Sequence, residues 1–260
     1  MAFGGSGEMA YFPDISYGFY RVYAELFGHA YRQIPLREDF SIDPEDYKAL
    51  NGFIAIANPN APTGMALGRA QIEDILGANP ENVVLIDEAY VDFGAESCVS
   101  LTGKYDNLLV VQTYSKSRSM AGARLGFAIA NEGLIADLEK IKFSTNPYSI
   151  NRMTLAAGIA TLKADDICME NCRRVIDTRE ATVNRLRQLR FEVLPSKANF
   201  VFARHPHADG DFLYRQLKAR GVLVRHFDTP RIRDFLRITV GTPEQMEVLL
   251  EALKRILEGE

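Results

Sequence analysis

Cysteines, long apolar runs and basic clusters are scarce in this sequence, and each shortage excludes a class of protein. The 260 residues contain three cysteines, Cys98, Cys168 and Cys172. An odd and sparse set argues against a disulfide framework and for a reducing compartment, so we expect a cytoplasmic location. No apolar run has the length of a transmembrane helix, and the first residues lack the pattern of a secretory signal. We therefore expect no membrane partner.

Neither sign of charge dominates the chain. It carries 30 Lys and Arg against 34 Asp and Glu, for a formal net charge of -4. Because no basic block or basic-aromatic stripe occurs, nucleic acid is not an expected partner. Cys168 and Cys172 share a helical face without a third ligand nearby, and we expect free thiols there. We expect no metal site, because none of the histidines clusters with acids or cysteines: His29, His205, His207 and His226.

Two patterns of hydrophobicity divide the chain near residue 152. In the first part, continuous apolar runs alternate with helix-like segments, which is typical of strands covered on both faces in a parallel α/β sheet. The expected strands are residues 53–57, 83–86, 108–111 and 125–130, with a helix at 70–76. The second part alternates helices (154–162, 167–189, 209–220, 243–257) with short strands (191–194, 199–202, 222–225, 235–239). We expect a large, mostly parallel α/β domain at 1–152 and a smaller α+β domain at 153–260.

A lysine follows the strand expected at residues 108–111. Lys116 lies where open α/β sheets place their ligands, and Thr113, Ser115 and Arg124 supply hydroxyls and a guanidinium that suit an anion. A partly desolvated lysine beside a phosphate is the arrangement that a nucleophile condensing with an aldehyde needs. The alternative is an ordinary surface lysine on a polar loop.

The two preceding strands also end in polar groups. Asp87 follows four apolar residues, so we expect it to be partly buried, and a buried carboxylate needs a cation or hydrogen bonds. A protonated pyridine nitrogen is such a cation, and Tyr90 is placed to reach a phenolic oxygen of the same ring. A solvated aspartate that caps the next segment is the alternative. The strand at 53–57 ends in a proline-stiffened loop, residues 58–64, that can aim a side-chain amide.

These three segments together resemble the fold-type-I aminotransferases that depend on pyridoxal 5'-phosphate. The matching motifs are Asn-Pro-Asn-Ala-Pro-Thr-Gly at 58–64, Asp-Glu-Ala-Tyr at 87–90, and Ser-Lys at 115–116 followed by Gly-x-Arg-x-Gly at 122–126. The resemblance implies that Lys116 condenses with the cofactor aldehyde and then moves a proton. It implies that Asp87 pairs with the pyridine nitrogen and that Tyr90 contacts the phenolic oxygen. The implied phosphate-binding residues are Thr113, Ser115 and Arg124.

Further stretches resemble the histidinol-phosphate aminotransferase family in particular, namely residues 12–20, 147–151, 198–200 and 236–242. The resemblance implies a homodimer and the conversion of L-histidinol phosphate and 2-oxoglutarate to imidazole acetol phosphate and L-glutamate in histidine biosynthesis. In the family, the arginine that matches Arg237 takes part in binding the substrate anion, and a guanidinium suits a carboxylate or phosphate. Further candidates for substrate binding are Arg225, Tyr17 and Asn199. An aromatic aminotransferase or a threonine-phosphate decarboxylase shares the same motifs.

Two departures from the family pattern qualify this expectation. The family has asparagine where this chain has Ala61, so we expect Asn60, or else Asn58, to contact the phenolic oxygen in its place; otherwise Tyr90 holds it alone. The resemblance also implies that the family's N-terminal segment, with its phosphate-binding loop, is not among the residues of this sequence, so we expect an incomplete large domain. The alternative function is therefore a truncated remnant that is inactive or only binds cofactor. The glycine-rich stretch at residues 4–7 is expected to be a turn and not a replacement for that loop.

Overall fold

The computed structural model describes Phe3 and residues 8–259, which form two sheets and seven α-helices. The strands are β1 (Met9–Pro13), β2 (Ala30–Ile34), β3 (Gly52–Ala57), β4 (Val84–Asp87), β5 (Leu108–Thr113), β6 (Gly126–Ile129), β7 (Glu192–Val193), β8 (Phe200–Arg204), β9 (Arg225–His226) and β10 (Phe235–Thr239). The helices are α1 (Phe19–Leu26), α2 (Arg69–Ala78), α3 (Glu132–Thr145), α4 (Arg152–Lys163), α5 (Asp165–Gln188), α6 (Gly210–Ala219) and α7 (Pro243–Glu258).

The larger sheet has six strands in the order β2-β1-β3-β4-β5-β6. All neighbours pair in parallel except β5 and β6, which are antiparallel. The predicted α/β class with a mostly parallel sheet is confirmed, but the expectation that 125–130 is another parallel strand is wrong. A parallel neighbour requires a crossover, usually helical. Residues 114–125 contain only a short 3-10 turn, so the chain reverses directly.

The core of this sheet explains why its strands read as continuous apolar runs. Ile54 and Ile56 of β3 are fully buried, and they belong to one cluster with Ile72, Ile75 and Leu76 of α2. Each such side chain contributes about 1.5–3 kcal/mol when fully buried. Because α2 covers this face, β3, β4 and β5 are held in register, and their polar C-terminal residues lie along one edge.

The smaller sheet is antiparallel, with the order β7-β8-β10-β9. Its core is shared with α5, α6 and α7, and Thr242 and Gln245 form a capping box at the start of α7. The strand predicted at residues 235–239 has those bounds, whereas the one predicted at 222–225 is limited to Arg225–His226. The Val222 N–H instead bonds to the Leu217 carbonyl at the end of α6, so this residue closes a helix.

The two sheets are connected by packing as well as by the chain. Ile15 and Phe40 share an apolar cluster with Phe202 and Phe235. Arg179 of α5 is 2% exposed and donates from Nη1 to the Phe93 and Ala198 carbonyls, each at 2.8 Å. The division into domains at 1–152 and 153–260 stays a prediction.

Other sequence-based expectations concern residues away from the sheet edge. The three cysteines are free, as expected. Within the described ranges, no helix combines the length and the apolar character that a membrane span requires. The turn expected at residues 4–7 lies outside the described residues.

Candidate active site

The polar residues at the C-terminal ends of β3, β4 and β5 lie at one edge of the large sheet. In the sheet register, Asp87 at the end of β4 pairs with Ala57 of β3 on one side and Val111 of β5 on the other. The loop at 58–64, the Asp87–Tyr90 segment and the segment that carries Lys116 therefore leave the same edge. The carboxyl edge of an open α/β sheet is where such folds bind ligands.

One cavity of about 350 Å³ lies between these segments and the smaller sheet, and we call it the polar cavity. Its lining combines residues from the end of β4, from the segment after β5, and from β8 and β10. They are Tyr90, Ser115, Lys116, Ser119, Ala121, Asn199, Phe200, Arg237 and Thr239. The structure thus brings the predicted lysine, tyrosine, serine, asparagine and substrate arginine together.

Lys116 is more exposed than the sequence led us to expect. Its Nζ lies 5.3 Å from the centroid of the Tyr90 ring, which is cation–π range. Among the described residues, it forms no ion pair with a carboxylate. The expectation of partial desolvation is wrong for this structure, because the cavity opens to solvent and the Tyr90 ring covers only one side of the amine. The amine is free to react with a ligand in the cavity.

Arg237 lines the same cavity, and its guanidinium forms no ion pair with any of the residues that the structure describes. Its Cζ lies 5.2 Å from the Phe200 ring centroid, and its buried Nε has no hydrogen-bond partner in the described part of the chain. A buried polar group without a partner is costly, so an anionic ligand would relieve it. Arg225 is its cross-strand partner but is exposed, does not line the polar cavity, and lies 5.4 Å from the Phe227 ring.

Asp87 lines a second cavity of about 540 Å³ along the face of the large sheet, which we call the apolar cavity. Asp87 is the charged residue of this lining that lies next to the site. Tyr17 and Tyr20 line the same cavity. The complete lining is Phe3, Glu8, Met9, Ala10, Phe12, Tyr17, Tyr20, Tyr23, Ala24, Phe27, His29, Phe53, Ala55, Leu85, Asp87, Leu109, Val111, Ala128 and Leu138. Asp87 is therefore at the junction of the sheet face and the sheet edge.

The Asp87 carboxyl is held by hydrogen bonds and not by a cation. Burial raises its pKa, while the Ala89 N–H, the Tyr20 hydroxyl and the charge of Lys116 act in the opposite direction. The Ala89 N–H donates to Oδ1 at 3.0 Å and the Tyr20 hydroxyl to Oδ2 at 3.1 Å. Because a buried carboxylate is stabilised by a positive partner, the donor set fits a ligand with a protonated ring nitrogen.

Tyr17 lies within electrostatic range of both cavities. Its pKa is raised, first by burial and then by Tyr23 and Asp87, whereas Arg124 lowers it and Tyr90 raises it slightly. The ring is 46% exposed and stacks against Phe19. Tyr17 therefore lines the apolar cavity together with Asp87 and does not line the polar cavity.

The residues predicted to hold a phosphate lie in one turn but have different surroundings. Thr113 Oγ1 accepts from the Ser115 N–H at 3.1 Å and lies 3.0 Å from Ser115 Oγ, so the hydroxyls adjoin each other. Arg124 has φ 54°, its Nη1 donates to the Ala121 carbonyl, and it forms no ion pair within the described ranges. Left-handed backbone at a non-glycine residue is often found at functional sites. Ser115 lines the polar cavity, whereas Thr113 shapes the turn beneath it.

Asn60 is committed to the protein and not to the cavity. Its Nδ2 donates to the Ile15 carbonyl at 2.9 Å and to Thr63 Oγ1 at 3.2 Å, and its Oδ1 accepts from Ser16. Asn58 likewise exchanges two hydrogen bonds with the Leu67 backbone. Both amides therefore brace the loop, and both amide hydrogens of Asn60 already have acceptors inside the protein, so Asn60 has no free donor to take the place of the asparagine that Ala61 replaces.

Several residues of the site were not anticipated from the sequence. Thr239 lines the polar cavity beside Arg237, and the alternation of side chains along β10 was a usable signal for it. Ser119 and Phe200 gave no comparable signal. Tyr20 lies within the family-like stretch 12–20, but nothing in the sequence indicated its hydrogen bond to Asp87, which joins residues 67 positions apart.

Comparisons with known proteins agree with this geometry. The family model for aminotransferase class I and II matches residues 1–253. A histidinol-phosphate aminotransferase from Brachyspira hyodysenteriae is 50% identical over 260 residues, which is all of this chain and 73% of that protein. Another, from Acinetobacter baumannii, is 53% identical over 248 residues, covering 95% of this chain and 69% of its own length. These similarities favour a transaminase over an inactive remnant.

A solved structure shows the same fold at lower identity. The histidinol-phosphate aminotransferase from Sinorhizobium meliloti in complex with pyridoxal-5'-phosphate superposes with a TM-score of 0.87 at 21% identity. The match covers 97% of this chain and 71% of that one. At this identity the likeness supports the architecture and not the details of a site.

Proposed function

We propose, from the premise that the chain belongs to the class I and II aminotransferases, that it transfers the amino group of L-histidinol phosphate to 2-oxoglutarate. The products are imidazole acetol phosphate and L-glutamate, in histidine biosynthesis. The observation that carries the proposal is the polar cavity, in which the amine of Lys116 and the guanidinium of Arg237 lie beside Tyr90. The Nε atom of Arg237 has no hydrogen-bond partner among the described residues. The names of relatives about half identical in sequence support this substrate.

The side chains at the sheet edge fit pyridoxal 5'-phosphate. Lys116 offers an amine to the aldehyde, Asp87 a carboxylate to the ring nitrogen, and Tyr90 a hydroxyl to the phenolic oxygen. Because both amide hydrogens of Asn60 are bonded within the protein, we assign that oxygen to Tyr90. We assign the phosphate to three residues of the turn after β5: Thr113, Ser115 and Arg124.

The bound cofactor supplies an electron sink for the substrate Cα carbanion. Asp87 would keep the ring nitrogen protonated. Lys116 removes the proton from the substrate Cα as a general base. It then gives up that proton as a general acid. The exposure of Lys116 allows its amine to move between these positions.

Arg237 is proposed to bind the anionic end of each substrate in turn. A guanidinium forms a bidentate pair with a phosphate or a carboxylate, so one residue serves both L-histidinol phosphate and 2-oxoglutarate. Asn199 and Tyr17 border the space where the rest of the substrate would lie. Arg225, next to Arg237 in the sheet, adds positive charge from the rim.

A homodimer in the cytoplasm completes the proposal. Large apolar side chains are exposed on α4 and just before it, which is typical of a surface that another molecule covers. They are Tyr148, Ile150, Met153, Leu155, Ile159 and Leu162. We propose that a second copy covers this surface, and light scattering of the purified chain tests it. The three free thiols are in keeping with a reducing compartment.

Covalent trapping tests the chemistry. Pyridoxal 5'-phosphate is added to the chain, borohydride reduces the product, and peptide mass mapping locates the modified residue. We expect modification of Lys116 and visible absorbance of bound cofactor. Lys116→Ala should lose both and lower kcat by a factor of about 10³ or more. Lys163→Ala, which removes an exposed lysine of α4, serves as the matched control.

Substrate choice is tested by measuring glutamate formed from L-histidinol phosphate and 2-oxoglutarate. Preference for an aromatic amino acid would change the assigned substrate. Release of carbon dioxide from threonine phosphate would change the reaction class. Absence of cofactor binding and of modification at Lys116 would contradict the proposal and favour the inactive remnant.

A further inference from the structure

Tyr20 contacts the Asp87 carboxyl from the apolar cavity. It lies in the first turn of α1, and its hydroxyl donates to Asp87 Oδ2 at 3.1 Å. The reaction described above leaves this hydroxyl without a role. Tyr20 lines the apolar cavity and is not among the residues that line the polar cavity.

The position of Tyr20 is fixed by its aromatic neighbours. Its ring centroid lies 5.9 Å from that of Phe12 on β1 and 5.6 Å from that of Tyr17, edge to face in the second case. The Tyr20 N–H also bonds to the Tyr17 carbonyl at 3.1 Å. Contacts of this kind restrict the ring to one orientation. The hydroxyl is consequently aimed at Asp87 before any ligand binds.

Within the described part of the chain, each of the two oxygens of Asp87 has one protein donor. The Ala89 N–H occupies Oδ1 at 3.0 Å, and Tyr20 occupies Oδ2. Together the donors prevent the carboxyl group from rotating, and they favour its ionised form over the neutral form that burial favours. Burial and the Asp87 charge also raise the pKa of Tyr20, so the hydroxyl keeps its proton and remains a donor.

We propose that Tyr20 is a positioning residue for cofactor binding, which orients the Asp87 carboxylate and keeps it charged toward the ring nitrogen of pyridoxal 5'-phosphate. The inference rests on the proposed function, because it assumes that Asp87 meets that nitrogen. Tyr20 acts through Asp87 and does not touch the cofactor itself. Its effect should therefore disappear when Asp87 is neutral.

A double-mutant cycle tests this dependence. The dissociation constant of pyridoxal 5'-phosphate is measured by fluorescence for the wild-type chain, Tyr20→Phe, Asp87→Asn and the double variant. We expect Tyr20→Phe to weaken binding about tenfold, the usual size of a hydrogen bond to a charged group. In the Asp87→Asn background the same change should matter less than about twofold. Tyr23→Phe removes a tyrosine hydroxyl from the same helix and cavity, and it should leave the constant unchanged.

The possible outcomes separate the two proposals. If Asp87→Asn itself leaves cofactor binding unchanged, the proposed function fails and this inference fails with it. If Asp87→Asn weakens binding but Tyr20→Phe does not, only the role of Tyr20 is overturned. Equal losses from Tyr20→Phe in both backgrounds would show a general structural role and also overturn it.

A cofactor-free measurement provides an independent arm. Carbon-detected NMR follows the titration of the Asp87 carboxyl, which also interacts with Glu88 just after β4, with Tyr17, and with Lys116 from the segment after β5. Tyr20→Phe should raise the pKa of Asp87, because it removes a donor to the ionised form. Tyr23→Phe should not. An unchanged midpoint in Tyr20→Phe would overturn the inference without any reference to activity.

Discussion

The loop at residues 58–64 and the segment at residues 115–124 leave the same edge of the large sheet. They differ in whether their polar side chains have partners inside the protein. In the 58–64 loop, Asn60 is 1% exposed, and both hydrogens of its side-chain amide have acceptors inside the protein. In the second, Lys116 and Arg124 are exposed, and neither pairs with a carboxylate among the described residues. The first segment has the character of a scaffold, and the second has groups available for a ligand.

This contrast shows how to separate structural from functional polar residues at a sheet edge. Both segments resemble family motifs, although the loop departs from its motif at Ala61. What distinguishes them is whether the protein already satisfies their hydrogen-bonding and charge requirements. A polar side chain whose partners are all internal stabilises the fold, whereas one without partners is available for binding.

The largest effect on stability is expected from Asn60→Ala. The substitution removes two donors and one acceptor that connect Ile15, Ser16 and Thr63, so it should lower the free energy of unfolding by about 2–3 kcal/mol. Urea denaturation of the cofactor-free chain measures it. Asn51→Ala, at an exposed position, should change stability by less than about 0.5 kcal/mol. A loss as small as that of Asn51→Ala would mean that the loop is not a scaffold.

Arg124→Gln should reveal the opposite behaviour. Loss of the guanidinium should weaken binding of pyridoxal 5'-phosphate about tenfold, or about 1.4 kcal/mol, without lowering the free energy of unfolding. Titration calorimetry measures the affinity, and inorganic phosphate as a competitor shows whether the phosphate is the group lost. Arg187→Gln, at an exposed arginine of α5, is the matched control. Destabilisation without loss of affinity would reverse the assignment of this segment.

The smallest effect is expected from Asp87→Asn, which should raise the free energy of unfolding where Asn60→Ala lowers it. Burial raises the pKa of Asp87 in the folded protein, so stability is lost as the pH rises from the ordinary aspartate pKa through the folded value. Asp87→Asn has no ionisable carboxyl at this position, so this loss of stability with rising pH does not occur in the variant. At neutral pH its cofactor-free form should be more stable by up to about 1 kcal/mol, with the gain shrinking as the pH falls.

Urea denaturation as a function of pH measures this difference, and Asp106→Asn, at an exposed aspartate, provides the comparison. A variant that is less stable at neutral pH would show that Asp87 serves the scaffold as well as the ligand.

The fold was predictable where burial dominates the pattern. The apolar runs of β3, β4 and β5 and the strand Phe235–Thr239 could be read from the sequence, because these segments lie in the cores of the two sheets. β2 and α3 were not predicted. β2 is an edge strand with mostly exposed side chains, and α3 has no buried residue, so neither has a strong apolar pattern. The antiparallel direction of β6 depended on the path of its connection and not on its composition.

The site was predictable for residues within motifs and not for contacts between distant segments. Lys116, Tyr90 and Arg237 could be proposed from their positions at strand ends and from a family resemblance, and they share a cavity. The bracing role of Asn60 could not, because the same amide in the same loop can point inward or outward. Tyr20 required knowledge of where α1 packs.

By itself, the sequence determined the periodicity of the strands and helices and the chemical groups that follow each strand, because both are local properties of the chain. Tertiary structure alone decided which of those groups find partners inside the protein. Burial, ionisation and hydrogen bonding of a side chain depend on neighbours that arrive from distant segments, as Tyr20 does at Asp87 and Ile15 at Asn60.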